Sequence, residues 1–204
     1  MRYRNRSFDD LKTCTKSREG LEKLEKAYML SKRLFKNKQS VLQHQLNTAF
    51  IIAKLNLDID TITAALLHEC VYELPKSEEE IAKLFGGEIT SIVKEIAKLK
   101  HVKKSNANLL DYKALAKVIL GVAQDIRSLI IELASQLDKM RFIKKRSQNE
   151  QTMLAKLAMN VYAPICHKLG LYEIEWELQD LAFKKLNYSE YEKIKAVSYT
   201  HLTL

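Results

Sequence analysis

From about Leu21 to about Ala196 apolar residues recur at the three-to-four-residue spacing of a helix, and little interrupts them: the 204 residues include only five glycines and two prolines. A chain so poor in turn-makers and so rich in Lys, Leu, Glu and Ala is confined to long helices joined by short links. No strand-turn-strand pattern, GxGxxG, phosphate-binding loop or internal repeat competes with that reading. The expected fold class is all-α. Apolar residues make up 47% of the chain, enough at this length for a substantial core.

The punctuation that does exist divides the pattern. Leu21, Leu24, Tyr28 and Leu34 mark a first amphipathic helix. Ser40 is placed to cap a second, VLQHQLNTAFIIAKLN, and Asp60 a third, TITAALLHECVYE, which Pro75 stops. Ser77 and Glu80 have capping-box spacing for a short helix ending at Gly86-Gly87, followed by EITSIVKEIAKLK. HVKKSNANLLDYKAL begins as a polar, mobile loop and feeds a helix to Val122. Asp125 opens IRSLIIELASQLDKMRF, and MLAKLAMNVYAPICHKLG carries Pro164 and closes at Gly170. Two further helices reach Ala196. The last eight residues, VSYTHLTL, lack the stripe and are expected to be an unstructured, non-native end.

Charge and cysteine usage restrict the setting. The formal charge of +9 favours anionic partners, but Lys and Glu interleave, so most of it belongs to solvated helix faces and no direct nucleic-acid binding is expected. Lys144, Lys145 and Arg146 mark a helix junction. Cys14, Cys70 and Cys166 are unpatterned, as free thiols of a reducing cytoplasm are. No apolar run approaches the roughly 20 residues a membrane span needs, and no secretory signal opens the chain, so a cytoplasmic location is expected.

His44 lies inside one expected helix and His68-Glu69 near the end of the next. Antiparallel helices can bring such positions together, and imidazole plus carboxylate suits a divalent ion such as Mn²⁺. Taken alone, the pattern is weak, since a buried His near a helix end is more often a hydrogen-bonded core residue.

Four longer stretches carry more information: HQLNTAFIIAKLNLDIDTITAALLHECVYE, FGGEITSIVKEIAKLK, AQDIRSLIIELASQLDKMRF and NVYAPICHKLGLYEIEWELQDLAFKKL. In this order and spacing, over about residues 20 to 196, they resemble the N-terminal half of the RelA/SpoT family, which makes and destroys the alarmone (p)ppGpp. The resemblance implies an HD-type helical hydrolase domain over 1–146 that removes 3′-pyrophosphate with Mn²⁺, then connecting helices over 147–196 leading to a synthetase domain absent from this chain. Residues 197–204 stand outside it. The family's metal set maps onto His44, His68, Glu69 in place of Asp, and Ser135 in place of a later Asp. Asp138 is the candidate substitute, about 4.5 Å further along the helix axis.

Other site positions depart too. The family's acidic pair becomes Tyr72 and Glu73, so Glu73 is the remaining catalytic candidate; a phenol with a pKa near 10 is a poor general base. Phe35 stands where the family has a base-contacting Arg and is a nucleotide-binding candidate that would stack on the base, against the commoner reading of a core aromatic. Gln45 replaces a Pro, and Lys139, the second nucleotide-binding candidate, replaces an Asn beside the nucleotide. His167 and Trp176, in the connecting region, are expected to be packing residues. Three functions follow from this comparison: a hydrolase-impaired regulatory domain that binds (p)ppGpp, an active Mn²⁺-dependent 3′-pyrophosphohydrolase, and a helical interaction module with no cofactor.

Overall fold

Aspartate and serine side chains start many of the helices by folding back onto free backbone N–H groups, which no helical carbonyl can reach. The computed structural model describes residues 3–15, 17–105 and 111–201, with side chains as far as 194. Helices account for its regular structure, and no strand occurs among the described residues. They are α1 (Phe8–Lys12), α2 (Arg18–Leu34), α3 (Gln39–Lys54), α4 (Ile59–Leu67), α5 (Cys70–Glu73), α6 (Glu78–Ser105), α7 (Tyr112–Val122), α8 (Ile126–Arg141), α9 (Gln148–Leu157), α10 (Ala163–Lys168), α11 (Tyr172–Leu186) and α12 (Tyr188–His201). The all-α expectation holds.

Several boundaries move. α1 precedes the first expected helix and opens with a Ser7–Asp10 capping box. α3 begins at Gln39 behind Lys38, with no side-chain cap from Ser40. Asp58, not Asp60, caps α4: its extended backbone lets the carboxylate accept from the N–H groups of Asp60 and Thr61. Asp60 instead pairs with Lys23 at 2.6 Å. Ser77 sits in a 3₁₀ turn, Pro75–Ser77, with its hydroxyl buried and unpartnered, and Glu80 pairs with Arg33, so the capping box does not form. α6 breaks at Gly86 alone, where φ 80 and ψ 179 lie in a region open essentially to glycine, and resumes at once. It then runs to Ser105 through the start of the expected mobile loop; residues 106–110 of that loop lie outside the described residues.

Three expected breaks are realised. Asp125 caps α8 by accepting from Arg127 N–H. Pro164 has no N–H to donate and its ring crowds the preceding turn, and the chain widens into a π turn, Ala158–Tyr162, ahead of α10. Gly170, at φ 70, ends α10 in a Schellman arrangement: Leu171 N–H donates to Cys166 C=O and Gly170 N–H to His167 C=O. Near the C-terminus, α12 continues through His201 where an unstructured end from 197 was expected, since neither Gly nor Pro interrupts Tyr188–His201; residues 202–204 lie outside the described residues.

The core is one cluster running from Leu11 to Ala182. α3 packs on both α4 and α8, α6 packs on α4, α5 and α8, and α11 packs on α8, α9 and α10. That stacking brings the middle of α3, the α4–α5 junction, the second half of α6 and α8 to one place. His167 and Trp176 do not pack in it. Both are exposed, because their side of α10 and α11 faces away from α8 and α9, and His167 instead meets Glu175 at 3.1 Å.

Candidate metal centre and nucleotide cleft

A helix that ends against a core leaves its last carbonyls free, and α4 uses one of them to orient a histidine. His68 is its C-cap, and His68 Nδ1 lies 2.7 Å from Ala65 C=O. A carbonyl only accepts, so Nδ1 carries the proton and Nε2 presents a lone pair. On α3, His44 Nδ1 lies 2.5 Å from Asp138 Oδ2, and His44 Nε2 lies 3.0 Å from Ser135 Oγ and 3.3 Å from His68 Nε2. Glu69, the residue between α4 and α5, brings Oε1 to 3.3 Å from His68 Nε2 and 3.5 Å from His44 Nε2. Three ligand atoms from His44, His68 and Glu69 thus lie within 4.8 Å of one another, a set suited in type and spacing to a divalent cation.

The surroundings of this set are cationic. Lys100 Nζ, from α6, lies 2.7 Å from Glu69 Oε1, with both side chains buried and the ammonium 5.4 Å from the centre of the Tyr72 ring. No directed hydrogen bond accompanies this contact, so it is a charge pairing. One turn on, Lys103 Nζ donates to Glu132 Oε1 at 3.1 Å, and Gln136 Nε2 donates to the same oxygen at 2.7 Å. Burial, then the charge of Lys139, holds the His44 imidazole well below its ordinary 6.5. Burial and Lys100 do the same to His68. Burial opposes ionisation of Glu69, but the positive charges of Lys100, 2.7 Å away, and Lys139 outweigh it, holding the carboxyl far below the usual range. Burial pushes Asp138 up to about 6, and burial with Lys103 pushes Lys139 down to about 7.

Beside the centre opens a cleft of about 900 Å³. Lys100, Lys103, Lys104, Lys139, Lys145 and Arg146 line it, against the carboxylates of Glu69, Glu73 and Asp138. An anionic ligand fits that balance.

The HD-domain family model matches residues 21–172. This chain belongs to the HD-domain family. Its relatives include a guanosine-3′,5′-bis(diphosphate) 3′-pyrophosphohydrolase of Aquifex aeolicus, 32% identical over 85% of this chain and 25% of that protein. The bifunctional (p)ppGpp synthase/hydrolase SpoT of Escherichia coli is 28% identical over 87% of this chain and 26% of that protein. A GTP pyrophosphokinase of Myxococcus xanthus is 32% identical over 86% and 24%. The chain spans about a quarter of the length of these curated relatives, and its resemblance to the RelA/SpoT proteins is thereby established.

Within this HD domain the expected site residues fall in three groups. His44, His68 and Glu69 meet as one set, with Ser135 placing a neutral hydroxyl on His44. Asp138 approaches the opposite nitrogen of His44, where it orients the ring, and it shares no atom with the three-donor set. Tyr72, Glu73 and Lys139 line the cleft or its entrance, Glu73 being tied to Lys38 at 2.7 Å. Phe35 is corrected: its ring is 1% exposed in the core at the end of α2, so no face is free to stack on a base. Gln45 is likewise internal, its Oε1 accepting from Ser31 Oγ at 2.7 Å. Lys144–Arg146 do lie at the junction between α8 and α9, Lys144 and Lys145 in the 3₁₀ turn Ile143–Lys145 and Arg146 extended just after it, and Lys145 and Arg146 also reach the cleft. Sequence reasoning missed Lys100, Lys103 and Glu132. The signal was present in α6: the buried stripe Ile89, Ile92, Val93, Ile96 continues at helical spacing into Lys100 and Lys103.

Among the described residues, no helix is long and apolar enough to cross a membrane. All three cysteines are free, Cys14 exposed and Cys70 and Cys166 buried.

Proposed function

We propose that this HD domain binds a guanine nucleotide of the (p)ppGpp class, that its 3′-pyrophosphohydrolase chemistry is impaired, and that its role is regulatory toward a synthetase domain of the kind its relatives' names describe. One observation carries the reading: a cationic cleft is retained beside a centre whose only carboxylate is already charge-matched by Lys100. Lys103, Lys104, Lys145 and Arg146 supply donors for phosphate oxygens along the cleft. His44 and His68 are held neutral with Nε2 lone pairs converging near Glu69 Oε1.

Mn²⁺, the ion that suits this donor set, would supply water activation and a clamp on phosphate oxygens when bound by His44, His68 and Glu69. Two features weaken hydrolysis. Ser135 contributes a hydroxyl where an anionic oxygen is wanted by a hard cation. Tyr72 offers a phenol, its ring tilted against His101 with centres 5.0 Å apart, where a general base is wanted. Glu73, paired with Lys38, is the one acid left at that position.

The alternative of a working Mn²⁺-dependent hydrolase is favoured by the spacing of the three donors, all within 4.8 Å. Calorimetric titration with ppGpp, followed by a pyrophosphate-release assay with Mn²⁺, separates the readings. Saturable binding with negligible release is expected. Release at rates typical of enzymes, about 1 s⁻¹ or faster, would establish the working hydrolase instead. No binding of ppGpp would leave the helical interaction module.

A further inference from the structure

Two imidazole lone pairs and a carboxylate oxygen converging within 4.8 Å form an arrangement that demands a positive charge among them. The chain provides one. Lys100 Nζ is 2.7 Å from Glu69 Oε1, the same oxygen that faces His44 Nε2 and His68 Nε2. The residue is only 4% exposed, and its ammonium has no directed hydrogen-bond partner that would hold it anywhere else. The neighbouring lysine of α6 is otherwise engaged, since Lys103 is matched by Glu132.

A divalent ion bound to Glu69 Oε1 would sit about 2 Å from that oxygen. The ammonium would then share one buried oxygen with a second, doubly charged cation. Like charges that close in a low-dielectric site repel strongly, and the single carboxylate cannot offset both. Ammonium and metal are therefore alternatives.

We propose that Lys100 is the resident cation of this centre, a tethered ammonium standing where a divalent metal would otherwise bind, and that it keeps the His44–His68–Glu69 set closed to metal. The inference concerns the centre alone and deepens the reading of an impaired hydrolase; nucleotide binding in the cleft is a separate matter. It assigns to α6, which supplies none of the three donors, control over whether the site is metallated. Methionine at position 100 removes the charge and keeps the volume, and arginine keeps the charge.

Mn²⁺ alone is the probe, titrated into metal-stripped protein with the free aqua ion followed by electron paramagnetic resonance. Lys100→Met is expected to bind one Mn²⁺ at least about tenfold more tightly than the wild type, Lys100→Arg to resemble the wild type, and Lys100→Met/Glu69→Gln to lose the gain. Wild-type melting is expected to be unchanged by EDTA. A wild type that binds one Mn²⁺ as tightly as Lys100→Met, or that melts lower after EDTA, overturns the proposal. The EDTA melt needs only the native chain, so it can overturn the proposal even if the variants fail to fold. If Lys100→Met gains metal while the wild type ignores ppGpp, the functional reading fails and the tethered cation stands.

Discussion

Replacing Lys103 with methionine tests the electrostatics of the cleft wall at a position where the magnitude can be worked out. Glu132 is buried on α8, receives Lys103 at 3.1 Å and Gln136 at 2.7 Å on one oxygen, and has no hydrogen-bond partner on the other. Burial alone would raise its carboxyl; Lys103 first, then Lys139 and Lys100, bring it from 4.5 down to about 2. That drop corresponds to about 3 kcal/mol in favour of the charged, folded form. Lys103→Met leaves the carboxylate buried with only the more distant lysines, and a loss of about 3 kcal/mol is expected near neutral pH. Lys103→Met/Glu132→Gln removes both charges and keeps an acceptor for Gln136, so it should lie within about 1 kcal/mol of the wild type. Because the folded pKa is depressed, the contribution of Glu132 is complete above about pH 4.5 and is lost as pH falls from there toward about 2. The gap between wild type and Lys103→Met should therefore narrow on acidification. Urea unfolding followed by far-UV circular dichroism measures all three proteins. A single-variant loss under about 1 kcal/mol at neutral pH, or a gap that does not shrink in acid, would refute the reasoning.

Two further predictions concern the scaffold and one the nucleotide site. Gly86→Ala should destabilise by about 1–3 kcal/mol through backbone strain alone, since φ is 80 and no atom lies near an added Cβ. Gly87→Ala, one residue on with equally open space and no positive φ, should instead stabilise by about 0.5–1 kcal/mol; thermal melts of the two variants check the contrast. In native protein a disulfide reagent should label Cys14 alone, because burial pushes the thiols of Cys70 up to about 11 and Cys166 up to about 12; all three should react in denaturant. Arg146→Ala, on the cleft rim, should weaken ppGpp binding by about 0.5–1.5 kcal/mol without shifting the melting temperature of the unliganded protein, as read by calorimetry and a parallel melt.

What could be read from residues alone was local. The scarcity of Gly and Pro and the helical stripe established an all-α chain, and Asp125, Pro164 and Gly170 mark breaks that the structure keeps. His44, His68 and Glu69 were legible as donors because side-chain chemistry travels with the residue. Caps were less legible: Asp58 and Asp60 are both plausible on composition, and only backbone direction selects the one whose carboxylate can turn onto the free N–H groups. The periodicity of a helix reveals which face is buried, never what that face meets. Phe35 therefore reads alike as a base-stacking ring or a core ring until α2 is packed on α4. Asp138 reads as a spare ligand until α8 sets it against the far nitrogen of His44. Lys100 reads as one more solvated lysine until the packing of α6 against the α4–α5 junction buries its ammonium on Glu69. Side-chain type and spacing decided what this protein contains; long-range helix packing decided which charges neutralise one another, because Coulomb energies in a buried site depend on distances that no local pattern encodes.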